Sequence, residues 1–256
     1  MNILTLYFSA TGNSKHISEL FSRQMNAKCH SIEESLDFGA LIAKSDTVAF
    51  CYPIYWSRVP RIMREFAARY MYALKGKKLI IFCTQQILSG DGARAFAALF
   101  PRGHAEIIYA EHIFMPSNIW PVTTNQMKIK RSFERAEQKM LAACRNIRRG
   151  KVKKRGFSFI GRALGWIQAP LMSPMERKAL NSIKINGDCN QCGICVSSCP
   201  MKNLILENNQ VGHWHNCSVC YRCVNQCPKK AITVVFHGKV KKQYRGLPEG
   251  DLYAKP

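Results

Sequence analysis

The chain has 256 residues, 47% of them hydrophobic, and 38 Lys and Arg against 16 Asp and Glu leave a net charge of +22. That length suits one large domain or two small ones and the apolar fraction can fill a core, so a disordered tail is excluded, while the charge demands an acidic partner, ligand or surface. Residues 1–7 lack the basic region and small-residue cleavage site of a secretory signal, so the twelve cysteines are not expected to form a disulfide scaffold, and no apolar run reaches the roughly 18 residues of a membrane span. A cytoplasmic protein without a transmembrane segment is the expectation.

In residues 1–124 short apolar runs at 3–8, 47–52, 78–84 and 105–110 read as buried strands, with a weaker one at 28–32. Helical patterns at 14–25, 60–72, 93–100 and 124–149 fall between and after them. Such alternation predicts an α/β fold, a doubly wound five-stranded parallel sheet whose ligands bind at the carboxyl ends of the strands.

The turn after the first strand reads Ser9-Ala10-Thr11-Gly12-Asn13-Ser14 and runs straight into a helix. Small hydroxyl residues and one glycine let backbone N–H groups and side-chain hydroxyls converge on a phosphate, which also gains from the positive end of the helix dipole. The Lys of a Walker loop and the pattern Gly-x-Gly-x-x-Gly are both missing, which weakens nucleoside triphosphate and nicotinamide dinucleotide readings. A merely capped helix start is the alternative. After the third strand in sequence, Pro53-Ile54-Tyr55-Trp56-Ser57 puts two large aromatics at a strand end, able to stack on a flat ring or to staple the next helix. The turn beginning Thr84-Gln85-Gln86 is polar and glycine-bearing, suited to bonding a ring edge. All three turns are expected to meet at one crevice.

These three loops together resemble a flavodoxin-type FMN-binding domain over residues 1–150. The resemblance implies that Ser9, Thr11, Gly12, Asn13 and Ser14 hold the ribityl phosphate, that Tyr55 or Trp56 packs on the isoalloxazine, and that Pro53, Ile54, Thr84, Gln85 and Gln86 complete the site. Flavodoxins are usually acidic and commonly bring a second stacking aromatic on the third loop, which residues 84–92 lack.

Eight of the twelve cysteines lie in two runs with the same spacing, offset by 28 residues: Cys189-x2-Cys192-x2-Cys195-x3-Cys199-Pro200 and Cys217-x2-Cys220-x2-Cys223-x3-Cys227-Pro228. The repeat extends to apolar positions, Val196 with Val224, Leu204 with Ile232 and Leu206 with Val234. This spacing is that of bacterial two-cluster ferredoxins, in which the fourth cysteine of each run ligates the other cluster. It assigns Cys189, Cys192, Cys195 and Cys227 to one [4Fe-4S] centre, and Cys217, Cys220, Cys223 and Cys199 to the other. Zinc ribbons would leave the x3-Cys-Pro in both halves without a role. Cys29, Cys51, Cys83 and Cys144 read as small core residues, and His213 and His215 as hairpin residues facing solvent.

The whole pattern resembles the EFR-type flavodoxin and ferredoxin fusion proteins of anaerobic bacteria. It implies a flavodoxin-like domain (1–150), a basic and aromatic linker or lid (151–183), a small α+β two-cluster ferredoxin domain (184–238) and a basic tail (239–256). The linker is the least explained part: 12 basic and 2 acidic residues lie in 128–155, followed by an apolar, aromatic stretch at 157–172. The expectation is a lid that lays Trp166 or Phe159 over the flavin, with contact to an anionic membrane surface as the alternative. No nucleic-acid recognition signature accompanies the charge, so no specific nucleic-acid partner is expected. Electron transfer between FMN and two [4Fe-4S] clusters, with acidic redox partners such as a ferredoxin or an oxidoreductase, is the favoured function, because no general acid or nicotinamide motif is visible. A ferredoxin-dependent flavin reductase acting on a quinone or another small organic acceptor is the alternative.

Overall fold

Ile3, Leu4 and Leu6 are all buried although they alternate in direction along the first strand, which is what a sheet covered on both faces requires. The structure, a computed structural model, describes residues 1–55, 58–86, 91–119, 122, 124–235 and 237–246, without the side chains of 169, 171–173 and 175. In chain order the first part runs β1 (Ile3–Tyr7), α1 (Asn13–Met25), β2 (Lys28–Ser31), α2 (Phe38–Ala43), β3 (Thr47–Pro53), α3 (Arg61–Arg69), a single 3-10 turn (Tyr72–Leu74), β4 (Lys78–Gln85), α4 (Gly92–Ala97), β5 (Glu106–Phe114), α5 (Gln126–Arg148) and β6 (Lys153–Lys154). The strands order as β2-β1-β3-β4-β5-β6, all parallel. This is the doubly wound, flavodoxin-like arrangement that alternation predicts.

Two cores flank the sheet. Leu4, Leu6, Phe50, Leu79 and Ile81 pack with α3 and α4 on one face, and Ile3, Ala49, Cys51, Ile80 and Phe82 with α1 and α5 on the other. Helix α5 buries Ile129, Phe133, Ala136, Met140, Ala143 and Ile147, a stripe at helical spacing. Cys51, Cys83 and Cys144 lie inside these cores and Cys29 is half-buried. Burial pushes the thiols of Cys51 up to about 12 and of Cys29 and Cys144 to about 11.

Three features depart from expectation. The short helix α2 has too few residues for a periodic signal and is set by its cap, the Asp37 carboxylate accepting from the Ala40 N–H at 2.9 Å. Strand β5 continues to Phe114, past the expected end at 110. The sheet has six strands rather than five, because β6 comes from the basic run that charge alone reads as linker. The physical cause is Glu111 in β5. Its buried carboxylate receives Lys153 at 2.5 Å, Lys139 at 3.2 Å and Arg155 at 3.8 Å. Burial alone would raise this acid, but Lys153, Lys139 and the His112 N–H outweigh it and hold the carboxyl below its ordinary value.

The chain continues with α6 (Phe159–Leu180), β7 (Ile183–Ile185), α7 (Ile194–Ser197), β8 (Leu204–Glu207), β9 (Gln210–His213), α8 (Arg222–Gln226) and β10 (Ile232–Val234). Strands β7 and β10 pair antiparallel, and β8 and β9 form a hairpin. Asn208 and Asn209 turn that hairpin at φ 48° and 58°, the left-handed pair that a type I′ turn requires. His213 and exposed Trp214 and His215 lie at its end. The 28-residue repeat governs the backbone as well as the sulfurs: left-handed residues recur at Gln191 and Val219, Gly193 and Tyr221, and Lys202 and Lys230. Leu204 and Ile232 are both buried in one small core, but Leu206 is exposed where Val234 is buried. The expected apolar match fails there because β8 turns outward into the hairpin.

Candidate functional site

The first turn is built for close approach. Gly12 sits at φ +98°, where a side chain would be strained, and nothing lies within 4 Å of where its Cβ would be. Helix α1 begins directly after it with no side-chain cap, so the N–H groups of its first turn, Asn13 to Lys15, point at the turn without helical partners. Ser9 Oγ accepts from the Gly12 N–H at 3.2 Å and closes the loop. Asn13 is pinned at both ends: its amide donates to the Pro116 carbonyl at 2.8 Å, and its oxygen accepts from the Tyr244 hydroxyl at 2.6 Å. Asn13 therefore shapes the turn, while Thr11 and the helix N–H groups are left facing it.

The three predicted turns do meet. Ser14 and Thr84 share a buried hydroxyl bond of 2.8 Å, joining the first to the third, and the Ile54 N–H donates to the Thr84 carbonyl at 2.8 Å, joining the second to the third. Pro53 ends β3 and Gln85 ends β4, whose carbonyl accepts from the Met115 N–H at 2.8 Å. Tyr55 is buried beside Cys220, and burial with that sulfur nearby pushes its phenol well above its ordinary value. Trp56 lies outside the described residues. Gln86 lines a cavity of about 660 Å³ at the ends of β4 and β5, with Phe114, Met115, Pro116, Lys128 and Ser132.

The cysteines converge as two quartets. One cavity is lined by Cys189, Cys192, Cys195 and Cys227, a second by Cys217, Cys220, Cys223 and Cys199, and they are equal in size, about 20 Å³ each. In each, three sulfurs come from one run and the fourth from the other. Backbone N–H groups bond sulfur at repeat-related places, Asn203 to Cys199 and Ala231 to Cys227, both at 3.3 Å. Burial first, then the neighbouring thiols, pushes Cys217 up to about 12 and Cys223 well above its ordinary value. A cation entering such a cage displaces protons. Among the described residues no three His, Cys, Asp or Glu side chains converge closely enough to hold a single metal ion.

The quartets differ in setting. Cys217, Cys220 and Cys223 are buried, whereas Cys192 is exposed. Cys220 packs into the core beneath β3 and β4, with Tyr55. Its carbonyl accepts from the Asn118 amide at 3.0 Å, and Asn225 returns a bond to the Asn118 carbonyl at 2.8 Å.

Arg222 makes the strongest link. Its guanidinium donates to the Ser9 carbonyl at 2.7 Å and the Ala10 carbonyl at 3.1 Å, within the first turn. It also forks onto the Glu33 carboxylate with two bonds of 2.7 Å and reaches the Ser198 carbonyl at 2.9 Å. Tyr244 straps the tail over the same turn, and Gly246, at φ +73°, is close enough that a Cβ would touch the Thr11 carbonyl.

Sequence reasoning missed Arg222, Asn118 and Tyr244. A signal for the first exists in the repeat itself: Gly193-Ile194 in the first run becomes Tyr221-Arg222 in the second, so the halves differ where one meets the sheet domain. Of the segment expected as a linker or lid, the structure gives the direction of the aromatic side chains. Phe159 and Trp166 lie on the exposed face of α6, away from the described residues. The glycines are responsible: Gly161 and Gly165 are the buried face, and a Cβ on Gly165 would run into the Asp91 carboxylate. No helix among the described residues is long and apolar enough to cross a membrane.

Among solved structures, general stress protein 14 of Treponema denticola in complex with FMN is similar at 17% identity over 56% of this chain and 97% of that one, with a TM-score of 0.43. The two-electron reduced flavodoxin of Megasphaera elsdenii matches at 17% identity over 53% and 98%, TM-score 0.39. An NADPH-quinone reductase of P. pentosaceus matches at 15% over 57% and 97%, TM-score 0.39. Comparison with curated proteins gives no match. Residues 4–164 match the family model described as Flavodoxin domain, a span that takes in the whole parallel sheet and the first turns of α6. By that match the chain belongs to the flavodoxin domain family.

Proposed function

We propose that the chain is an electron-transfer flavo-iron-sulfur protein, with FMN at the three turns and a [4Fe-4S] cluster in each cysteine quartet. The observation that carries this reading is the pair of four-thiol cavities, each completed by the fourth cysteine of the opposite run. When bound, FMN supplies one- and two-electron exchange and each cluster one-electron exchange. The rest is done by side chains and backbone. The uncapped start of α1 and the hydroxyls of Ser9, Thr11 and Ser14 suit a phosphate, the Ser14 and Thr84 pair fixes the crevice, and Asn13 holds its rim. The N–H groups of Asn203, Val219 and Ala231, donating to the sulfurs of Cys199, Cys217 and Cys227, suit thiolate charge.

Exposure orders the proposed centres. The quartet of Cys217, Cys220, Cys223 and Cys199 lies next to Tyr55 and the first turn, so it stands nearer the flavin. The quartet with exposed Cys192 and Ile194 stands outward, where an acidic redox partner would dock on a chain of net charge +22. The open cavity beside Gln86 and Lys128 favours a second reading, reduction of a small organic acceptor there.

Anaerobic reconstitution with iron, sulfide and FMN, assayed on one sample with EPR of the reduced state, tests the proposal. About eight irons and one FMN per chain, with coupled signals from two neighbouring clusters, is the expected result. Zinc in place of iron, or no retained flavin, would overturn it. Rapid saturable reoxidation of the reduced protein by one small molecule would select the reductase reading.

A further inference from the structure

Helix α6 presents an apolar face that none of the described residues covers. At about 100° per residue, Phe159, Ile160, Ala163, Trp166, Ile167 and Pro170 fall within one arc of about 120°, opposite the buried Gly161 and Gly165. The large side chains on this arc are strongly exposed: Phe159 84%, Ile160 71%, Trp166 80% and Ile167 53%. Isolated exposed apolar residues are ordinary, but four on one helical arc form a patch with a use.

The charge around the patch is of one sign. No acidic residue occurs between Glu137 and Glu176, while nine Lys and Arg do. Lys139, Lys153 and Arg155 turn to Glu111. Exposed Arg149, Lys151 and Lys154 precede the helix, Arg162 borders the arc, and Arg177 and Lys178 follow it. Glu176, the one acid on α6, is neutralised by Arg58 at 3.3 Å and Arg64 at 2.5 Å. The patch is thus apolar and aromatic at its centre and cationic at its edges, and the acids described on α6 and beside it, Glu176 and Asp91, are both paired.

We infer that α6 with the preceding basic strand is a peripheral docking surface for an anionic membrane. Trp and Phe suit the level of lipid headgroups, and each Lys or Arg near such a surface adds attraction of about 1 kcal/mol that salt weakens. The helix lies on the bilayer and does not cross it. Gly165 sits against Asp91 at the start of α4 and Gly161 is buried on the same face, so the apolar face is aimed outward before any membrane is met. This inference is independent of FMN and of the clusters.

The test is co-sedimentation of the full chain with vesicles of phosphatidylcholine alone and of phosphatidylcholine with phosphatidylglycerol, at low and high salt. Binding to the anionic vesicles, lost at high salt, is the expected result. It should weaken at least about tenfold in W166S/I167S and in K151A/K154A, variants that change only exposed side chains and should keep the wild-type melting temperature. Quenching of Trp fluorescence by brominated lipid, abolished in large part by Trp166→Phe, gives a readout on the folded wild-type surface. Absence of binding to anionic vesicles, or binding unchanged in W166S/I167S, overturns the inference. So does concentration-dependent dimerisation by light scattering that W166S/I167S abolishes, since a second copy would then be the occupant.

Discussion

Removing the Arg222 guanidinium should uncouple the C-terminal unit from the sheet domain. Five hydrogen bonds end on this group, two of them to Glu33 and three to the carbonyls of Ser9, Ala10 and Ser198. The side chains of Arg222 and Glu33 are only 13% and 24% exposed. Arg222→Ala therefore strands a partly exposed carboxylate and three carbonyls without these donors, and losing hydrogen bonds to a charged group costs about 1.5–3 kcal/mol. The three stranded carbonyls favour the upper end, about 3 kcal/mol or roughly a 150-fold change in the unfolding constant. Arg222→Lys keeps the charge but not the fork, and should lose about 2 kcal/mol. Urea unfolding of the full chain, followed by fluorescence and circular dichroism, measures the change. The wild-type transition should split in Arg222→Ala, with the C-terminal unit melting first. A double-mutant cycle with Glu33→Gln should return a coupling of at least about 1.5 kcal/mol. A loss below about 1 kcal/mol, or strict additivity with Glu33→Gln, would refute the clamp.

Four further outcomes follow from named contacts. His112 accepts the Ala93 N–H at 3.3 Å through Nε2, and burial, then Arg155, holds its imidazole down to about 4. The unfolded chain thus binds a proton that the folded chain refuses between about pH 6.5 and 4, so stability present above 6.5 falls by up to about 3 kcal/mol across that window. Melting temperatures of wild type and His112→Gln over this range check it, an equal slope in both counting against it. Gly12→Ala should cost about 1 kcal/mol in stability from its φ of +98° alone, with a larger fractional loss of FMN affinity by fluorescence titration. Gly165→Ala must push α6 off Asp91, a residue tied to Arg94, and should destabilise by about 1–3 kcal/mol in thermal unfolding. Cys192→Ala and Cys220→Ala should each lower reconstituted iron from about eight to about four per chain. Only Cys220→Ala, beside Tyr55, should also shift the flavin absorption.

The parallel sheet was legible because its strands are apolar on both faces, and the three turns because glycine, hydroxyl and aromatic residues sit where strands end. The sixth strand was not. Lys153-Lys154 carries no strand pattern, and what holds it is Glu111, more than forty positions earlier in the chain and unremarkable among the acids until its burial is known. The direction of the aromatic stretch is illegible for a related reason. Composition showed Phe159 and Trp166 in need of cover, but direction depends on Gly161 and Gly165, whose lack of side chains decides which face packs.

The cysteine repeat was legible in its grouping, with each cavity lined by three sulfurs of one run and the fourth of the other, and illegible in its polarity. Duplication gives both runs the same sulfur spacing, the same left-handed positions and the same N–H to sulfur bonds. What differs is the pair between the second and third cysteines. Gly193 takes its left-handed φ without cost and leaves Ile194 at the surface. Tyr221 takes the same φ at a cost of about 1–2 kcal/mol, offset by its burial and by its hydroxyl bond to the Val234 carbonyl. That places Arg222, not an isoleucine, against the first turn. This pair, with Asn225 in place of Ser197, sets an inward quartet apart from an outward one, the asymmetry that the proposed relay requires. Exchanging the pairs, Gly193-Ile194 for Tyr221-Arg222, should leave iron content intact while breaking the clamp, separating cluster assembly from coupling to the sheet domain; loss of both together would show that the pair serves the cage and not its orientation.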